Sequence, residues 1–208
     1  MTDVNTGTSY DEVPYDSVAF VETHPNRLSV IARLFGLKPA PVDKCRVLEL
    51  GCAAGGNIAP MAAYLPNSEF VGIDLSPVQV ASGQKAIESA GLKNIRLEAR
   101  SILDIDDSYG QFDYIICHGV YSWVPEEVRE KILSICSKNL TTNGVAYISY
   151  NTYPGWRMRG MIRDMMRYHA NRFPSPEQRV AQARGLLDFL ANALSPGKES
   201  SNVLMKSY

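Results

Sequence analysis

The sequence is poor in the residues that build metal sites and disulfide frameworks. Its 208 residues include only three histidines and four cysteines, and none of the cysteines (Cys45, Cys52, Cys117, Cys136) forms a C-x-x-C pair. Zinc sites commonly use such pairs or histidine clusters, so the sequence predicts no metal site. Three of the four cysteines fall in apolar strand or helix patterns, which suits a reducing cytoplasm better than a disulfide scaffold.

Long apolar runs and an excess of charge of one sign are also missing. No run approaches the roughly 18 apolar residues of a membrane span, and the polar start of the chain lacks the parts of a signal peptide. The formal net charge is −1, so no bulk electrostatic attraction to nucleic acid or to an anionic membrane is expected. These absences predict a cytoplasmic protein that binds neither nucleic acid nor membranes.

What the sequence does contain is an alternation of strand and helix patterns between residues 41 and 150. Each short apolar run is followed by a helical pattern or a connecting loop. This order predicts an α/β fold with a doubly wound, mostly parallel sheet that is covered on both faces. The strand patterns lie at 45–50, 70–73, 95–99, 112–117 and 145–150, and the helix patterns at 26–35, 56–64, 77–90, 125–139, 157–172 and 177–194.

A glycine-rich turn follows the first strand pattern, in the run Glu49-Leu50-Gly51-Cys52-Ala53-Ala54-Gly55-Gly56-Asn57. Small residues there let a ligand approach the backbone, and the N–H groups that begin the next helix can bind an anion. Asp74 closes the second strand about 20 residues later, the offset at which a carboxylate meets ribose hydroxyls. The alternative, that Asp74 only caps the next helix, is weaker because Ser76 is better placed. The combination predicts an adenosine-containing ligand, either a nicotinamide dinucleotide or S-adenosylmethionine.

The turn resembles the first motif of class I S-adenosylmethionine-dependent methyltransferases, E/D-x-G-x-G-x-G. Glu49, Gly51 and Gly55 are in place, and Ala53 stands where the motif has its central glycine. The G-x-G-x-x-G pattern of dinucleotide-binding proteins is not matched, because residue 53 is alanine. Later segments resemble the same superfamily in order: the loop after the third strand at 100–102, the fourth strand at 112–117 and the turn before the fifth strand at 140–145. Ser101 stands where an acidic residue is frequent.

This resemblance implies S-adenosylmethionine as the cofactor and an enzyme that transfers its methyl group to a nucleophile. It implies that the cofactor is bound by Tyr15, Glu49, Gly51, Cys52, Asn57, Asp74, Leu75, Ser101, Ile102 and His118. Two other functions stay open: a module that binds the cofactor for sensing or interaction without turnover, and, on weaker grounds, an NAD-dependent dehydrogenase.

Four further segments resemble one bacterial group, the methyltransferases with a methyltransferase regulatory domain, which includes rickettsial outer-membrane-protein lysine methyltransferases. The segments lie at 10–15, 23–25, 118–125 and 150–156. The resemblance implies a protein, with a lysine side chain, as one candidate for the methyl acceptor.

The end of the chain departs from the class I pattern, which adds a sixth strand and an antiparallel seventh. Helical patterns stand there instead, so we expect a sheet that lacks its last strands and associates with itself through an exposed edge. The expected domains are an N-terminal strap and helix (1–40), a cofactor-binding core (41–150) and a helical extension (151–208) that begins a truncated C-terminal part.

Candidate catalytic residues follow the last two strands, at the edge of the sheet where ligands bind. His118 follows the fourth strand and is suited to orient or deprotonate an acceptor, or else to pack against the cofactor. Tyr121 is suited to wall the pocket around the methyl group. Asn151 and Tyr153, after the fifth strand, offer a polar and an aromatic contact for the acceptor, or else form only a turn with the following proline and glycine.

Overall fold

The computed structural model describes residues 17–193, which form two compact units divided in the chain between Tyr150 and Asn151. The first unit contains one parallel sheet of five strands in the order β3-β2-β1-β4-β5. This confirms the predicted α/β fold. The strands are β1 (Arg46–Leu50), β2 (Glu69–Asp74), β3 (Ile95–Ala99), β4 (Phe112–Cys117) and β5 (Leu140–Ile148).

Helices cover both faces of this sheet because successive residues of each strand point to opposite sides. Val47 packs with Phe70 on one face, where the neighbouring helices are α1 (Pro25–Leu34), α2 (Ile58–Tyr64) and α3 (Pro77–Ser89). Leu48 packs with Val71 on the other face, against α4 (Glu126–Asn139). Each layer is therefore closed by apolar side chains from both the sheet and its helices.

Local sequence signals explain where α3 begins. The side chain of Ser76 accepts a hydrogen bond from the backbone N–H of Gln79, and Pro77 occupies the first helical position. Both are preferred at those positions, because the cap satisfies a free N–H group and proline has none to satisfy.

The fifth strand differs from its prediction. It begins at Leu140, five positions before the expected Val145, and ends at Ile148 rather than at Tyr150. Leu140 pairs with Phe112, and the register then shifts so that Val145 pairs with Tyr114. The residues predicted as a turn before the strand are thus accommodated inside it as an irregularity, which a run of sequence alone does not reveal.

The second unit consists, in its described part, of α5 (Trp156–Ala170) and α6 (Pro176–Ala193). His169 joins the two helices, since one ring nitrogen lies 3.1 Å from the side-chain oxygen of Gln182. Helices in the described part of the chain are all too short or too polar to cross a membrane. Among the same residues, no cluster of acidic, histidine or cysteine side chains is suited to hold a metal ion.

Candidate functional site

The sheet changes direction between β1 and β4. The chain passes from β1 to β2 and β3 on one side, and then returns to place β4 and β5 on the other. The carboxyl ends of the two central strands therefore lie where the topology switches, which is the usual ligand site of a doubly wound sheet. The glycine turn after β1 and His118 after β4 both lie at this edge.

The turn after β1 owes its shape to three residues in the left-handed backbone region. The φ angles are +77° at Gly51, +49° at Ala53 and +75° at Gly55. These are the alternating positions at which the motif has glycine. The backbone conformation of the turn therefore explains why the motif has glycine there. An alanine in this region costs roughly 1–2 kcal/mol of stability. In this turn that cost falls on Ala53, because the other two positions are glycine.

Asp74 holds the turn against β2. One carboxylate oxygen accepts from the backbone N–H of Ala53 at 2.8 Å, and the other accepts from the N–H of Ser76 at 2.9 Å. The first of these bonds is donated by the strained residue, Ala53, and so helps to keep it in place. Ser76 caps α3, as the sequence indicates, and Asp74 keeps lone pairs for a ligand because each oxygen accepts only one of these bonds.

Glu49 is a buried carboxylate beside this turn. Its side chain is 3% exposed, and one oxygen accepts from the side-chain amide of Asn57 at 2.6 Å. The other oxygen, Oε2, has no hydrogen-bond partner within residues 17–193. Burial, with a smaller contribution from the negative charge of Asp74, raises the pKa of Glu49 to about 7, against the favourable bond from Asn57.

The short segment that precedes α1 lies on the same turn. We call it the N-terminal segment and define it as Ser17–Thr23. The hydroxyl of Ser17 accepts from the N–H of Gly56 at 2.8 Å, and the N–H of Phe20 donates to the side-chain oxygen of Asn57 at 2.9 Å. Sequence reasoning missed Ser17 and Phe20 entirely, because neither belongs to a recognisable pattern.

His118 faces the same segment. Its ring lies 4.0 Å from the ring of Phe20 and 5.9 Å from that of Tyr147, measured between centroids. Its Nδ1 atom is buried and finds no partner in the described chain. Burial lowers the pKa of His118, although the charge of Glu22 partly opposes this. The imidazole is thus neutral near pH 7.

The other predicted cofactor residues of the first unit lie at the same edge or just beneath it. Leu75 is 57% exposed, next to Asp74, and offers apolar surface to a ligand. The N–H of Arg100 donates to the carbonyl of Asp74 at 2.8 Å, which brings Ser101 and Ile102 beside the end of β2. Cys52 is buried in the turn, and its burial raises the pKa of the thiol.

Three predicted residues do not belong to the described part of the first unit, and a fourth lies in the loop after β4. Tyr15 lies outside the described residues. Asn151 and Tyr153 belong to the second unit, where the guanidinium of Arg157 lies over the Tyr153 ring at 5.5 Å. Tyr121, in the loop after β4, packs beside Tyr150 with ring centroids 6.0 Å apart.

The chain is similar to several known proteins. A sequence profile described as a methyltransferase domain matches residues 41–187. Two uncharacterized proteins of Rickettsia prowazekii (strain Madrid E) are 52% identical over 198 residues and 48% identical over 186 residues. The matches cover 95% of this chain and 36% of the first protein, and 89% of this chain and 74% of the second.

Solved structures give the same result. The structure of PKMT2 from Rickettsia typhi in complex with AdoHcy superimposes with a TM-score of 0.80 at 43% identity, and covers 93% of this chain and 37% of PKMT2. An S-adenosylmethionine-dependent methyltransferase from Clostridium acetobutylicum ATCC 824 has a TM-score of 0.53 at 19% identity over 74% of this chain and 58% of the other, which shows a shared fold. The chain spans little more than a third of PKMT2 and of the first Rickettsia prowazekii protein.

Proposed function

Because this chain belongs to the methyltransferase domain family, we propose that it binds S-adenosylmethionine at the turn after β1 and transfers the methyl group to a protein nucleophile. The observation that carries the proposal is the pair of carboxylates at that turn. Asp74 shapes the turn and retains lone pairs, while Glu49 presents a buried oxygen with no partner among the described residues.

These residues fit the cofactor chemically. S-adenosylmethionine carries ribose hydroxyls, an α-ammonium group and a sulfonium, so it needs acceptors and negative charge. Asp74 is suited to accept from the ribose hydroxyls, and the bare oxygen of Glu49 is suited to accept from the ammonium, which would relieve the cost of a buried unpaired charge. Leu75 and Ile102 would cover an apolar part of the adenine, with Ser101 at its rim and Tyr15 as a further contact.

The bound cofactor supplies an electrophilic methyl group, and the residues of the chain position the acceptor and manage its proton. We propose a lysine amine as the acceptor, supported by the resemblance to rickettsial lysine methyltransferases and the similarity to PKMT2. Such an amine has an ordinary pKa of about 10.4 and must be neutral to react. Burial in an apolar pocket or a nearby base would favour its neutral form.

His118 is the group best suited to receive the acceptor in this arrangement. Its neutral ring follows β4 at the carboxyl edge of the sheet and has a buried nitrogen, Nδ1, that finds no partner in residues 17–193. A neutral imidazole nitrogen can accept a hydrogen bond from an amine and orient its lone pair. Tyr121 would border the methyl group, and Asn151 and Tyr153 remain proposed contacts of the acceptor.

We also propose that the protein works in the cytoplasm and associates with itself through β5. All four cysteines lie in the described residues and are free thiols, which a reducing compartment maintains. No described strand pairs with the outer side of β5, and an unpaired strand edge is a template for another chain.

Titration calorimetry with S-adenosylmethionine, its demethylated product and NAD tests the proposal directly. We expect the first two to bind and NAD not to bind. Binding of NAD alone would contradict the proposal, and binding of the first two without methylation of any protein acceptor would favour the non-enzymatic module.

Asp74→Asn should weaken cofactor binding about ten- to a hundredfold, the usual effect of losing a hydrogen bond to a charged group. A matched control is Asp113→Asn, because Asp113 accepts from the backbone N–H of Arg46 at 2.9 Å at the opposite end of the sheet. If both variants bind equally well, Asp74 does not belong to the site.

A further inference from the structure

We infer that Asn57 is a positioning residue that connects the buried carboxylate of Glu49 to the N-terminal segment, and through Phe20 to His118. The segment Ser17–Thr23 would then contribute to the methyl-transfer site. The inference rests on the proposed function, because it gives the cofactor a role at Glu49.

The side-chain amide of Asn57 uses every hydrogen-bonding group that it has. One N–H donates to Glu49 at 2.6 Å and the other lies 3.0 Å from the hydroxyl of Thr23, while the oxygen accepts from the N–H of Phe20 at 2.9 Å. The orientation of the amide is determined by these partners, because Phe20 offers only a donor and the Glu49 oxygen can accept. Asn57 is 4% exposed, so water does not compete for these bonds.

Thr23 stabilises the end of this connection that lies in the N-terminal segment. Its side chain is fully buried, and its hydroxyl donates to the carbonyl of Phe20 at 2.9 Å. That leaves its lone pairs to accept from Asn57, so a single hydroxyl completes both the amide and the turn of the N-terminal segment. Deleting this oxygen would leave a buried N–H of Asn57 without a partner, which is costly.

Gly56 explains why the segment approaches the turn so closely. A Cβ atom at this position would collide with the backbone carbonyl of Ser17, which cannot move aside as a flexible side chain would. Gly56 is not one of the three motif positions with left-handed backbone. The lack of a side chain at Gly56 therefore allows the N-terminal segment to pack against the turn, and is not what gives the turn its shape.

These contacts make cofactor occupancy and segment position energetically linked. A cation at the bare oxygen of Glu49 keeps this carboxylate ionised and makes the bond from Asn57 charge-assisted, hence stronger. Hydrogen bonds in a chain polarise one another, so the bond from Phe20 to Asn57 strengthens as well. The Phe20 ring is then held against His118, at the place where the acceptor would enter.

Thr23→Val tests the connection, because valine matches the shape of threonine and removes only the hydroxyl. We expect S-adenosylmethionine to bind about tenfold more weakly by calorimetry, equivalent to about 1.4 kcal/mol. In the native chain, the cofactor should slow hydrogen exchange of the Phe20 amide and shift the NMR signal of the His118 ring. Both responses should shrink in the variant.

Two matched variants separate a positioning role from a loss of stability. Ser68→Ala removes another buried hydroxyl, which bonds to Cys45 and Val42 at the amino end of the sheet, and it should leave affinity and both responses native. Thr23→Ser keeps the hydroxyl, so its affinity and both responses should match those of the native chain. This variant still tests the positioning role if the valine variant fails to fold.

The outcomes distinguish this inference from the proposed function. If the native chain does not bind S-adenosylmethionine, both are overturned. If it binds, but Thr23→Val binds equally well and the Phe20 and His118 responses are unchanged, only the positioning role is overturned. A Thr23→Ser variant that folds but does not recover the responses would also contradict it.

Discussion

At the scale of single residues, the feature that stands out is the buried carboxylate of Glu49. A carboxyl group in the middle of a parallel sheet is destabilising when ionised, unless each oxygen is paired. Here Asn57 pairs with one oxygen, and the other is bare within the described chain. The protein thus retains a group that lowers its own stability, which is characteristic of functional sites.

The pH dependence of stability should report this group. Burial raises the pKa of Glu49 from an ordinary 4.5 to about 7 in the folded protein. The folded state therefore holds a proton that the unfolded state has lost between these values. Stability from this group is complete below about pH 4.5 and is lost as the pH rises to about 7, by at most about 3 kcal/mol.

Glu49→Gln should remove this dependence, because glutamine does not titrate. Urea denaturation of the cofactor-free proteins at pH 5 and pH 8 gives the comparison. We expect the native chain to lose up to about 3 kcal/mol more than the variant between the two conditions. Parallel curves for the two proteins would show that Glu49 is ionised in the folded state throughout this range.

At the scale of elements, α3 is packed unusually close to the turn after β1. A Cβ atom at Gly83, in the middle of α3, would collide with the backbone carbonyl of Ala54. Glycine inside a helix normally costs about 1 kcal/mol relative to alanine. Its use here lets the helix lie directly against the strained turn and support it.

Gly83→Ala should therefore destabilise the protein, against the ordinary preference of helices for alanine. The matched control is Gly185→Ala in α6, where a Cβ atom meets nothing within 4 Å and alanine should add roughly 0.5–1 kcal/mol. Thermal denaturation should give shifts of opposite sign. A rise in the melting temperature for both variants would contradict the proposed close packing of α3.

At the scale of the whole molecule, the first unit has a sheet with β5 at one edge. Its side chains are only partly buried, unlike those of the central strands β1 and β4. Edges of this kind are commonly protected by charge or covered by another element. No strand of residues 17–193 pairs with the outer side of β5, and this is the surface where we expect association of copies to begin.

Ala146→Lys should reduce this association, because a charge on an edge strand opposes pairing with another edge. Ala146 is exposed and lies opposite Ile115 in the sheet. Val30→Lys adds the same charge at an exposed position of α1 and serves as the control. Light scattering over a concentration series should show a smaller mean mass for the first variant only; equal masses would exclude β5 as the interface.

Much of the fold was predictable because its signals are local. Alternating apolar strands and amphipathic helices require a covered parallel sheet, and the bounds of β3 and β4 match their predictions. The predicted start of the fifth strand was wrong, because Asn143 and Gly144 are typical turn residues that the structure places within an irregular strand. The shift in register depends on β4, which is distant in sequence.

The candidate site likewise has a part that was predictable from the sequence and a part that was not. Glu49, Asp74 and the turn between β1 and α2 were predictable, since residue types and offsets along the chain carry the motif, and the methyltransferase family that they indicated is confirmed. The contributions of Ser17, Phe20 and Thr23 were not predictable. Their partners lie 30 to 40 residues away, and no short pattern links a segment to a turn over that distance.

The sequence by itself determined the sheet, the strained turn and the acidic residue at the end of each of the first two strands, because these follow from backbone geometry and from periodicity over a few residues. Only the tertiary structure decided that Asn57 joins Glu49 to the N-terminal segment and that Phe20 covers His118. Such contacts depend on which distant residues the packed core brings within hydrogen-bonding distance.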